Sequence, residues 1–487
     1  MGWGCLATMN HHCNRYTPAA GISRRSWLTR MTGGLGALAL GDLLSGKAGA
    51  SLAGMPHLPA KAKRIIFLTM TGGMSHLESF DYKPELKKRQ NEPMPSSVMA
   101  GKKPLGMSAN QSFFPLVASK PEFTQHGQSG AWISAAFPHL AKVADDLTFV
   151  KSMFSEAVNH DPALTFLQTG APLPGRPSIG AWLDYGLGSI NKDLPAFITL
   201  TSNRPVDQPL SSRMWDSGFL PSRYSGVQFR SGADPVLYLS DPQGLPREST
   251  RRMLDSLKDL HTMQRAADGD AVIDSKIEQF EMAYRMQSAV PDATDISREP
   301  QHILDLYGED VNKPGSFAKN CLLARRLAER DVRYIQLFHP GWDHHGSLPM
   351  GFEIGGKEVD QAAAALITDL KQRDMLKDTL VVFGSEFGRT SYSQGGINKK
   401  SGNYGREHHR DCFTFWMAGG GIKPGISYGS TCEFGFRIAE NPVHMNDFHA
   451  TLLHLMGIDH ERFTHRYQGR DFRLTDVAGE VVKGILA

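Results

Sequence analysis

The chain has 487 residues, of which 40% are hydrophobic, 21% charged and 9% aromatic. This is an ordinary globular composition, and it excludes wholesale disorder, a collagen-like repeat and a coiled-coil rod. The formal net charge of +3 comes from residues 1–50, which hold five basic residues and one acidic residue, and the rest of the chain sums to −1. We therefore expect no nucleic-acid-binding body.

The N-terminal segment predicts export. Arg24-Arg25 is followed by an aromatic residue and a leucine, a pattern that resembles the twin-arginine signal. A weakly apolar, glycine-rich run follows over 31–44, and residues 48–50 (Ala-Gly-Ala) have the pattern of a cleavage site. We expect residues 1–50 to be a twin-arginine signal segment and the mature protein to be periplasmic or extracellular. The alternative is an ordinary amphipathic first helix. No other run is apolar over the roughly 18 residues that suggest a membrane span, so we expect none in the mature chain.

Three cysteines follow this segment, at Cys321, Cys412 and Cys432. An odd number without CxxC spacing argues against a disulfide framework or a zinc ribbon. We expect buried free thiols, and a pair between Cys412 and Cys432 is the alternative.

From residue 60 onward, apolar runs of strand length alternate with segments of helical periodicity. Strands are predicted at 65–70, 147–150, 196–200, 332–338, 379–383 and 413–417. Helices are predicted at 135–143, 181–185, 251–266, 271–288, 317–330, 359–373 and 445–456. The alternation predicts an α/β fold whose largely parallel sheet is covered on both faces. We expect a single domain over 60–487, with loop or helical insertions at about 82–130 and 203–300.

Carboxylates and imidazoles cluster next to three predicted strands. They are Asp343-His344-His345 after strand 332–338, Glu386 after strand 379–383, and His408-His409 before strand 413–417. Ten of the 19 histidines lie between His339 and His465, about twice the number of an even spread. Ligands of α/β sheets bind beyond the carboxyl ends of the strands. The pattern predicts a site for a divalent metal ion (Zn, Mn or Ca) or for an anion.

Longer segments resemble a known family. Residues 359–388 resemble the stretch before the Ser-Asp-His-Gly motif of sulfatases, and residues 443–459 resemble their terminal helix. Further similar segments are 159–162, 342–345, 386–390 and 418–423. From about Lys63 to the C-terminus, the chain looks like a member of the domain-of-unknown-function 1501 family, within the alkaline phosphatase and sulfatase superfamily. The resemblance implies an alkaline phosphatase-like α/β/α sandwich.

The resemblance also implies a metal site. Superfamily enzymes hold one or two divalent metals at the carboxyl edge of the sheet, and a Ser, Thr or modified Cys attacks the ester. Carried over, the metal ligands are Glu386, Asp343 with His344 or His345, and His408 or His409. We favour His345 over His344 because alternate residues of an extended segment point to the same side. The choice between His408 and His409 stays open.

Three positions depart from the superfamily pattern. Phe387 replaces a metal-binding His or Asn, and Thr71 stands at the end of the first strand where an Asp is usual. Residues 160–170 align with the sulfatase motif through Pro162 and Thr169-Gly170, which puts His160 at the nucleophile position and Leu164 at an arginine position. These departures argue against a standard sulfatase mechanism.

Several roles remain open for the residues near the nucleophile position. His160 can be a nucleophile, a general base or a metal ligand, and a capping or core histidine is the bland alternative. Asp161 can orient a ring or bind metal, and Arg389 can clamp an anion. We therefore predict an exported, metal-dependent hydrolase of anionic phosphate or sulfate esters, with a sulfated or phosphorylated polymer among its candidate substrates. A non-catalytic binding or assembly protein on the same fold is the alternative.

Overall fold

The computed structural model describes residues 51–101, 106–204, 210–230, 235–236, 239, 246–268, 272–398 and 403–487. The predicted signal segment of residues 1–50 lies outside the described residues. The described residues belong to one compact unit.

The strands of this unit fall into one large central sheet and several two-stranded ribbons. The strands are β1 Arg64–Met70, β2 Phe123–His126, β3 Ala131–Ser134, β4 Thr148–Phe154, β5 Phe197–Thr201, β6 Val227–Phe229, β7 Tyr334–His339, β8 Thr379–Gly384, β9 Gly388–Asn398, β10 Asn403–His409, β11 Phe413–Ala418, β12 Ile426–Tyr428, β13 Ser430–Thr431, β14 Ile438–Glu440, β15 Val443–His444, β16 His465–Tyr467 and β17 Arg470–Phe472. The helices are α1 His76–Ser79, α2 Pro84–Lys88, α3 Ser96–Met99, α4 His160–Thr169, α5 Ile179–Leu187, α6 Arg247–Asp268, α7 Val272–Thr294, α8 Gln301–Tyr307, α9 Phe317–Glu329, α10 Leu348–Gln372 and α11 Met445–Leu455.

The central sheet runs in the order β12-β4-β11-β8-β1-β7-β5-β6, and β15 also pairs with β4. Its neighbouring strands are parallel except at β11, which is antiparallel to both β4 and β8. In the middle of the sheet, Ile66 of β1 pairs with Ile335 of β7 and Val381 of β8. The predicted α/β class with a largely parallel sheet is therefore confirmed.

The sheet is buried on both faces because its strands are continuous apolar runs. Ile66 and Leu68 pack with helices α9 and α10 in one core, and Ile65 and Phe67 pack with α4, α5 and α11 in a second core. Successive residues of β1 enter different cores because neighbouring side chains of a strand point to opposite faces of the sheet. Full burial of one such side chain stabilises the fold by about 1.5–3 kcal/mol.

Helix α10 begins eleven residues before the predicted start of its helical segment, at Leu348 instead of residue 359. Glycines in its first turns hide the helical signal from the sequence. At Gly355 a Cβ atom would lie 3.0 Å from the Trp342 ring, and at Gly356 it would lie 3.1 Å from the Ala136 carbonyl oxygen. Glycine is therefore used here for close packing.

Two further sequence expectations were wrong. The predicted helix 135–143 is replaced by a 3₁₀ segment at Leu140–Asp146. The expected loops after β8 and before β11 are largely the antiparallel ribbon of β9 and β10. Because alternating polar residues fill this ribbon, its strands lack the apolar run on which the prediction relied.

The two predicted insertions contain short elements and one helix pair. The first holds α2, α3 and β2, and the second holds β6 and the paired helices α6 and α7. Their boundaries stay a prediction. Among the described residues, no helix combines the length and apolar character needed to cross a membrane.

Candidate metal and active site

Four chain segments meet at the carboxyl edge of the central sheet. Strands β7 and β8 end there, so the residues after them carry Asp343 and Glu386 to that edge. Strand β4 runs parallel to β8, because both are antiparallel to β11, and His160 follows β4. Strand β11 runs the opposite way, so its preceding residues, including His408, arrive at the same edge.

Asp343 is the hub of the cluster. Its Oδ1 atom lies 2.6 Å from Nη2 of Arg389, 2.9 Å from Nε2 of His345 and 3.1 Å from Nε2 of His408. Its Oδ2 atom lies 3.2 Å from Nε2 of His160. Burial by itself raises the pKa of Asp343, but contacts with the three histidines and Arg389 outweigh it and hold the pKa well below its usual range. Asp343 is therefore a carboxylate.

Hydrogen bonds at the Nδ1 atoms of His345 and His408 fix how the two rings face Asp343. Nδ1 of His345 lies 2.5 Å from Oε1 of Gln394, and Nδ1 of His408 lies 2.9 Å from the Val158 carbonyl oxygen. Both partners are acceptors, so both Nδ1 atoms donate and both Nε2 atoms present lone pairs to the cluster. Burial lowers the pKa of His408, which favours the neutral ring that a metal ligand needs.

This arrangement fits a cation. The Nε2 atoms of His345 and His408 are 2.9 Å apart, and the ionised Oδ1 atom of Asp343 lies within 3.1 Å of each. Three acceptor atoms facing each other repel unless a cation or proton lies between them. Tetrahedral zinc with bonds of about 2.0–2.1 Å separates its ligand atoms by about 3.3 Å, close to the spacing seen here.

His160 lies between two carboxylates. Its Nδ1 atom is 2.7 Å from Oε1 of Glu386, and its Nε2 atom faces Asp343. Burial lowers its pKa, but the contacts with Asp343 and Glu386 outweigh that effect and raise it to about 9. The ring also packs against His408 and Phe387, at centroid distances of 4.4 Å and 5.0 Å. As the first residue of α4, His160 is thus part of the cluster.

Glu386 is completely buried behind His160. Its Oε1 atom accepts the Gly72 backbone N–H at 2.9 Å, and its Oε2 atom lies 3.0 Å from the Ser385 hydroxyl. Burial raises its pKa, but His160 and the backbone N–H groups of Glu386 and Gly72 lower it overall. Gly72 has φ +115°, and a Cβ atom there would lie 2.6 Å from the Asp343 backbone nitrogen, so this close approach requires glycine.

Besides Asp343, His345 and His408, whose facing atoms lie within 3.1 Å of one another, two further groups of side chains among the described residues have ligand atoms close enough together to hold one ion. They are His160, Asp343 and His408, and His345, Glu407 and His408. Both groups use His408, which has one lone pair to offer, so the two groups cannot each hold an independent ion through it. Glu407 was not predicted as a ligand from the sequence, although it directly precedes the predicted His408-His409 pair.

Glu407 is buried and fixed by backbone donors. Its Oε1 atom accepts the His408 backbone N–H at 2.9 Å, and its Oε2 atom accepts that of Ser108 at 2.9 Å. Its Oε1 atom lies 3.9 Å from Nδ1 of His345. Glu407 therefore adds a second negative charge on the His345 side of the cluster.

Two predicted ligand candidates lie outside the cluster. His344 packs against Trp342, at a ring distance of 6.3 Å, and burial with nearby Arg389 and Arg204 lowers its pKa to about 4. His409 stacks on the Phe436 ring at 4.3 Å, and its Nε2 atom lies 2.8 Å from the Phe436 carbonyl oxygen. Of each predicted pair, the structure brings His345 and His408 to Asp343.

Arg389 is a buried positioning residue. Its Nε atom donates to the Gly73 carbonyl oxygen at 2.7 Å, and Nη1 donates to that of Arg406 at 3.0 Å. Its Nη2 atom donates to Asp343 and to the Gly72 carbonyl oxygen. Because every guanidinium nitrogen already donates, these contacts argue against the predicted anion clamp.

Among the described contacts, none joins the Asp161 side chain to the cluster. It forms an ion pair with Arg213 and is partly exposed, whereas His160 beside it points inward. Phe387 packs on the His408 ring at 4.5 Å. The cluster is therefore walled by an aromatic ring on that side.

The fold and this cluster define an α/β protein with side chains that could hold a metal ion at the carboxyl edge of a largely parallel sheet. Residues 62–486 match the model of the family described as "Protein of unknown function (DUF1501)", and the chain belongs to that family. The family resemblance predicted from the sequence is therefore confirmed. A comparison with curated proteins finds no match.

Solved structures that resemble the chain include three proteins of low sequence identity. The PsFucS1 sulfatase from Pseudoalteromonas sp. is 13% identical, with 85% of this chain and 72% of that chain covered and a TM-score of 0.32. A protein in the alkaline phosphatase superfamily from Vibrio parahaemolyticus is 10% identical, with coverage of 82% and 69% and a TM-score of 0.32. The C-terminal periplasmic domain of EcEptC from Escherichia coli, in complex with Zn, is 8% identical, with coverage of 83% and 84% and a TM-score of 0.32. Such TM-scores are too low to support an argument about this chain.

Proposed function

We propose that this protein is a metal-dependent hydrolase of phosphate or sulfate esters, with Asp343, His345 and His408 as the metal ligands. One observation carries the proposal. The Nε2 lone pairs of both histidines converge on the ionised carboxylate, while their Nδ1 atoms donate to Gln394 and Val158. Hydrogen-bond acceptors at the Nδ1 atom, as Gln394 and Val158 are here, orient histidines whose Nε2 atom binds a metal. The residue types suit zinc or manganese, and calcium if oxygen ligands dominate.

A bound divalent ion would polarise the ester oxygen and offset the charge that develops during hydrolysis. His160 is placed to hold a proton beside it, because both of its nitrogens face carboxylates. These contacts favour a proton carrier that donates to the leaving oxygen, a role different from the nucleophile, general base and metal ligand predicted from the sequence. A nucleophilic role or direct metal ligation by His160 would require one nitrogen to leave its carboxylate.

Export remains part of the proposal. The twin-arginine pattern supports a periplasmic or extracellular protein, where anionic esters, including sulfated or phosphorylated polymers, are candidate substrates.

A non-catalytic binding or assembly role is the second candidate. Two observations favour it: Phe387 packs where the superfamily has a metal ligand, and the guanidinium nitrogens of Arg389 are all used internally. In that case the cluster would hold a metal for structure alone. The two candidates differ in turnover and not in metal content.

The test measures both quantities on one preparation. The folded chain, purified without chelator, is assayed for bound metal and then screened with nitrophenyl phosphate and nitrophenyl sulfate. We expect bound metal and measurable turnover, with both lost in Asp343→Asn and both retained in the exposed control Asp193→Asn. Bound metal without turnover of any ester supports the second candidate. A metal-free, inert wild type contradicts the proposed function.

A further inference from the structure

A hydrolase of anionic esters needs a cation that recognises the substrate, and the two positions expected to supply one do not. Arg389 is buried and its guanidinium nitrogens already donate to protein oxygens. Leu164, which stands at an arginine position of the superfamily, is buried and apolar. A recognition residue must therefore come from another part of the chain.

Arg213 is the arginine held next to His160. It lies on the 3₁₀ segment Ser212–Trp215 and forms an ion pair with Asp161, the residue that follows His160. The two side chains are 37% and 48% exposed, so the pair is open to solvent. The Arg213 side chain is thus partly exposed, and its partner Asp161 lies one residue along α4 from the imidazole that contacts Asp343 and Glu386.

Contacts of Trp215 fix the backbone of the 3₁₀ segment that carries Arg213. Trp215 is buried, with its ring 6.0 Å from that of Phe338 near the end of β7, and its carbonyl oxygen accepts the Gly226 N–H at 2.7 Å. Strand β7 leads directly into the segment that carries Asp343. This packing therefore ties the backbone position of Arg213 to the end of β7.

The guanidinium of Arg213 has an unused donor. Its Nη2 atom contacts one oxygen of Asp161, whereas its Nε atom is buried and has no hydrogen-bond partner among the described residues. Sulfate and phosphate oxygens match the planar fork of arginine, which prefers two parallel hydrogen bonds. Since ion pairs that are partly exposed are weak in water, an incoming dianion can displace the single Asp161 contact.

We propose that Arg213 recognises the sulfate or phosphate group of the substrate and that Asp161 competes with the substrate for this guanidinium. The inference rests on the proposed function and names its specificity-determining residue. It assigns Asp161 a role outside the chemistry: the carboxylate holds Arg213 in place between turnovers and weakens anion binding.

The test titrates the purified full chain with inorganic sulfate and with inorganic phosphate in a calorimeter. Arg213→Gln is expected to weaken anion binding about tenfold, since one charge-assisted contact is lost. Asp161→Asn is expected to tighten it about threefold, because a weak competing ion pair is removed. Arg213→Lys should recover part of the affinity. The matched control is Arg223→Gln, which breaks an ion pair of the same chain segment, at 3.0 Å from Glu278, and should leave anion binding unchanged.

The two substitutions are expected to change anion affinity in opposite directions, and this distinguishes anion recognition from a purely structural ion pair. If Arg213 and Asp161 only fasten α4 to the 3₁₀ segment, both substitutions lower thermal stability and neither changes anion affinity in the expected direction. That result overturns the inference, as does a wild type that binds neither anion. Should Arg213→Gln fail to fold, Asp161→Asn still decides: equal or weaker anion binding contradicts the inference.

Measuring ester turnover beside anion binding tests the role of Arg213 separately from the proposed hydrolase function. In an active wild type, Arg213→Gln should raise KM with little change in kcat, and an unchanged KM refutes the role of Arg213 while the hydrolase proposal stands. In an inactive wild type, anion binding that depends on Arg213 supports the recognition site while the hydrolase proposal fails.

Discussion

The hydrogen bond between Gln394 and His345 offers a sharp test of the metal site. The Gln394 Oε1 atom accepts from Nδ1 of His345 at 2.5 Å and fixes the ring with Nε2 facing Asp343. Gln394→Met keeps the length of the side chain but removes the acceptor. Loss of such a partner lowers metal affinity 10- to 100-fold, which is about 1.4–2.7 kcal/mol.

The same change should appear as a loss of metal-dependent stability. At a free metal concentration of 100 times Kd, binding stabilises the wild type by about 2.7 kcal/mol, and a tenfold weaker Gln394→Met retains about 1.4 kcal/mol. Chelator competition measures the affinity, and denaturation with and without metal measures the stability. Gln394→Glu retains an oxygen acceptor and should bind metal at least as well as the wild type. Equal metal affinity in Gln394→Met and wild type would refute the account of His345.

Three further predictions concern stability, pH and export. Glu78 lies 2.7 Å from the buried guanidinium of Arg406, so Glu78→Leu leaves that charge without its carboxylate. The substitution should destabilise the protein by about 3–5 kcal/mol in denaturant titrations. A loss of stability below about 1 kcal/mol would contradict this expectation. Burial lowers the pKa of His449 from 6.5 to about 4, so its stabilising effect is complete above 6.5 and is lost as the pH falls toward 4. Between pH 8 and pH 5 the wild type should lose about 2 kcal/mol that His449→Gln does not lose, and equal losses in both proteins would rule this out. Replacing Arg24 and Arg25 by Lys should leave the protein in the cytoplasm in a fractionation experiment, since lysine lacks the planar fork of arginine, and normal export would disprove the signal assignment.

Much of the sheet could be predicted because its strands are continuous apolar runs bounded by polar residues. Strands β7 and β8 were expected at 332–338 and 379–383, and the structure has them at Tyr334–His339 and Thr379–Gly384. Their direction could be predicted too, because helices separate them. The place of Asp343 and Glu386 at one edge followed from these two properties.

The direction of β11 could not be predicted from its apolar run. A parallel β11 would have carried His408 to the opposite edge of the sheet, far from Asp343. The structure has β11 antiparallel to both neighbours, and this reversal is what brings the preceding residues to the site. The choice between His408 and His409 likewise depends on the register of β10 against β9, where His408 pairs with Arg389.

The remaining differences between the predicted and the observed site residues depend on burial. The sequence marks Arg389 as a cation beside the cluster, but only the packing shows that its donors face Gly73, Arg406 and Asp343. Gln394 and Glu407 gave no comparable signal, because neutral amides and single carboxylates are common on exposed strands. Their contribution comes from the pairing of two polar strands, which hydrophobic periodicity does not reveal.

The most direct test of the metal site is a crystal structure of the protein loaded with zinc or manganese, with diffraction data collected on both sides of the absorption edge of the metal. The account predicts one anomalous peak about 2.0–2.3 Å from Nε2 of His345, Nε2 of His408 and a carboxylate oxygen of Asp343. An anomalous peak elsewhere, or none at full metal loading, would contradict it.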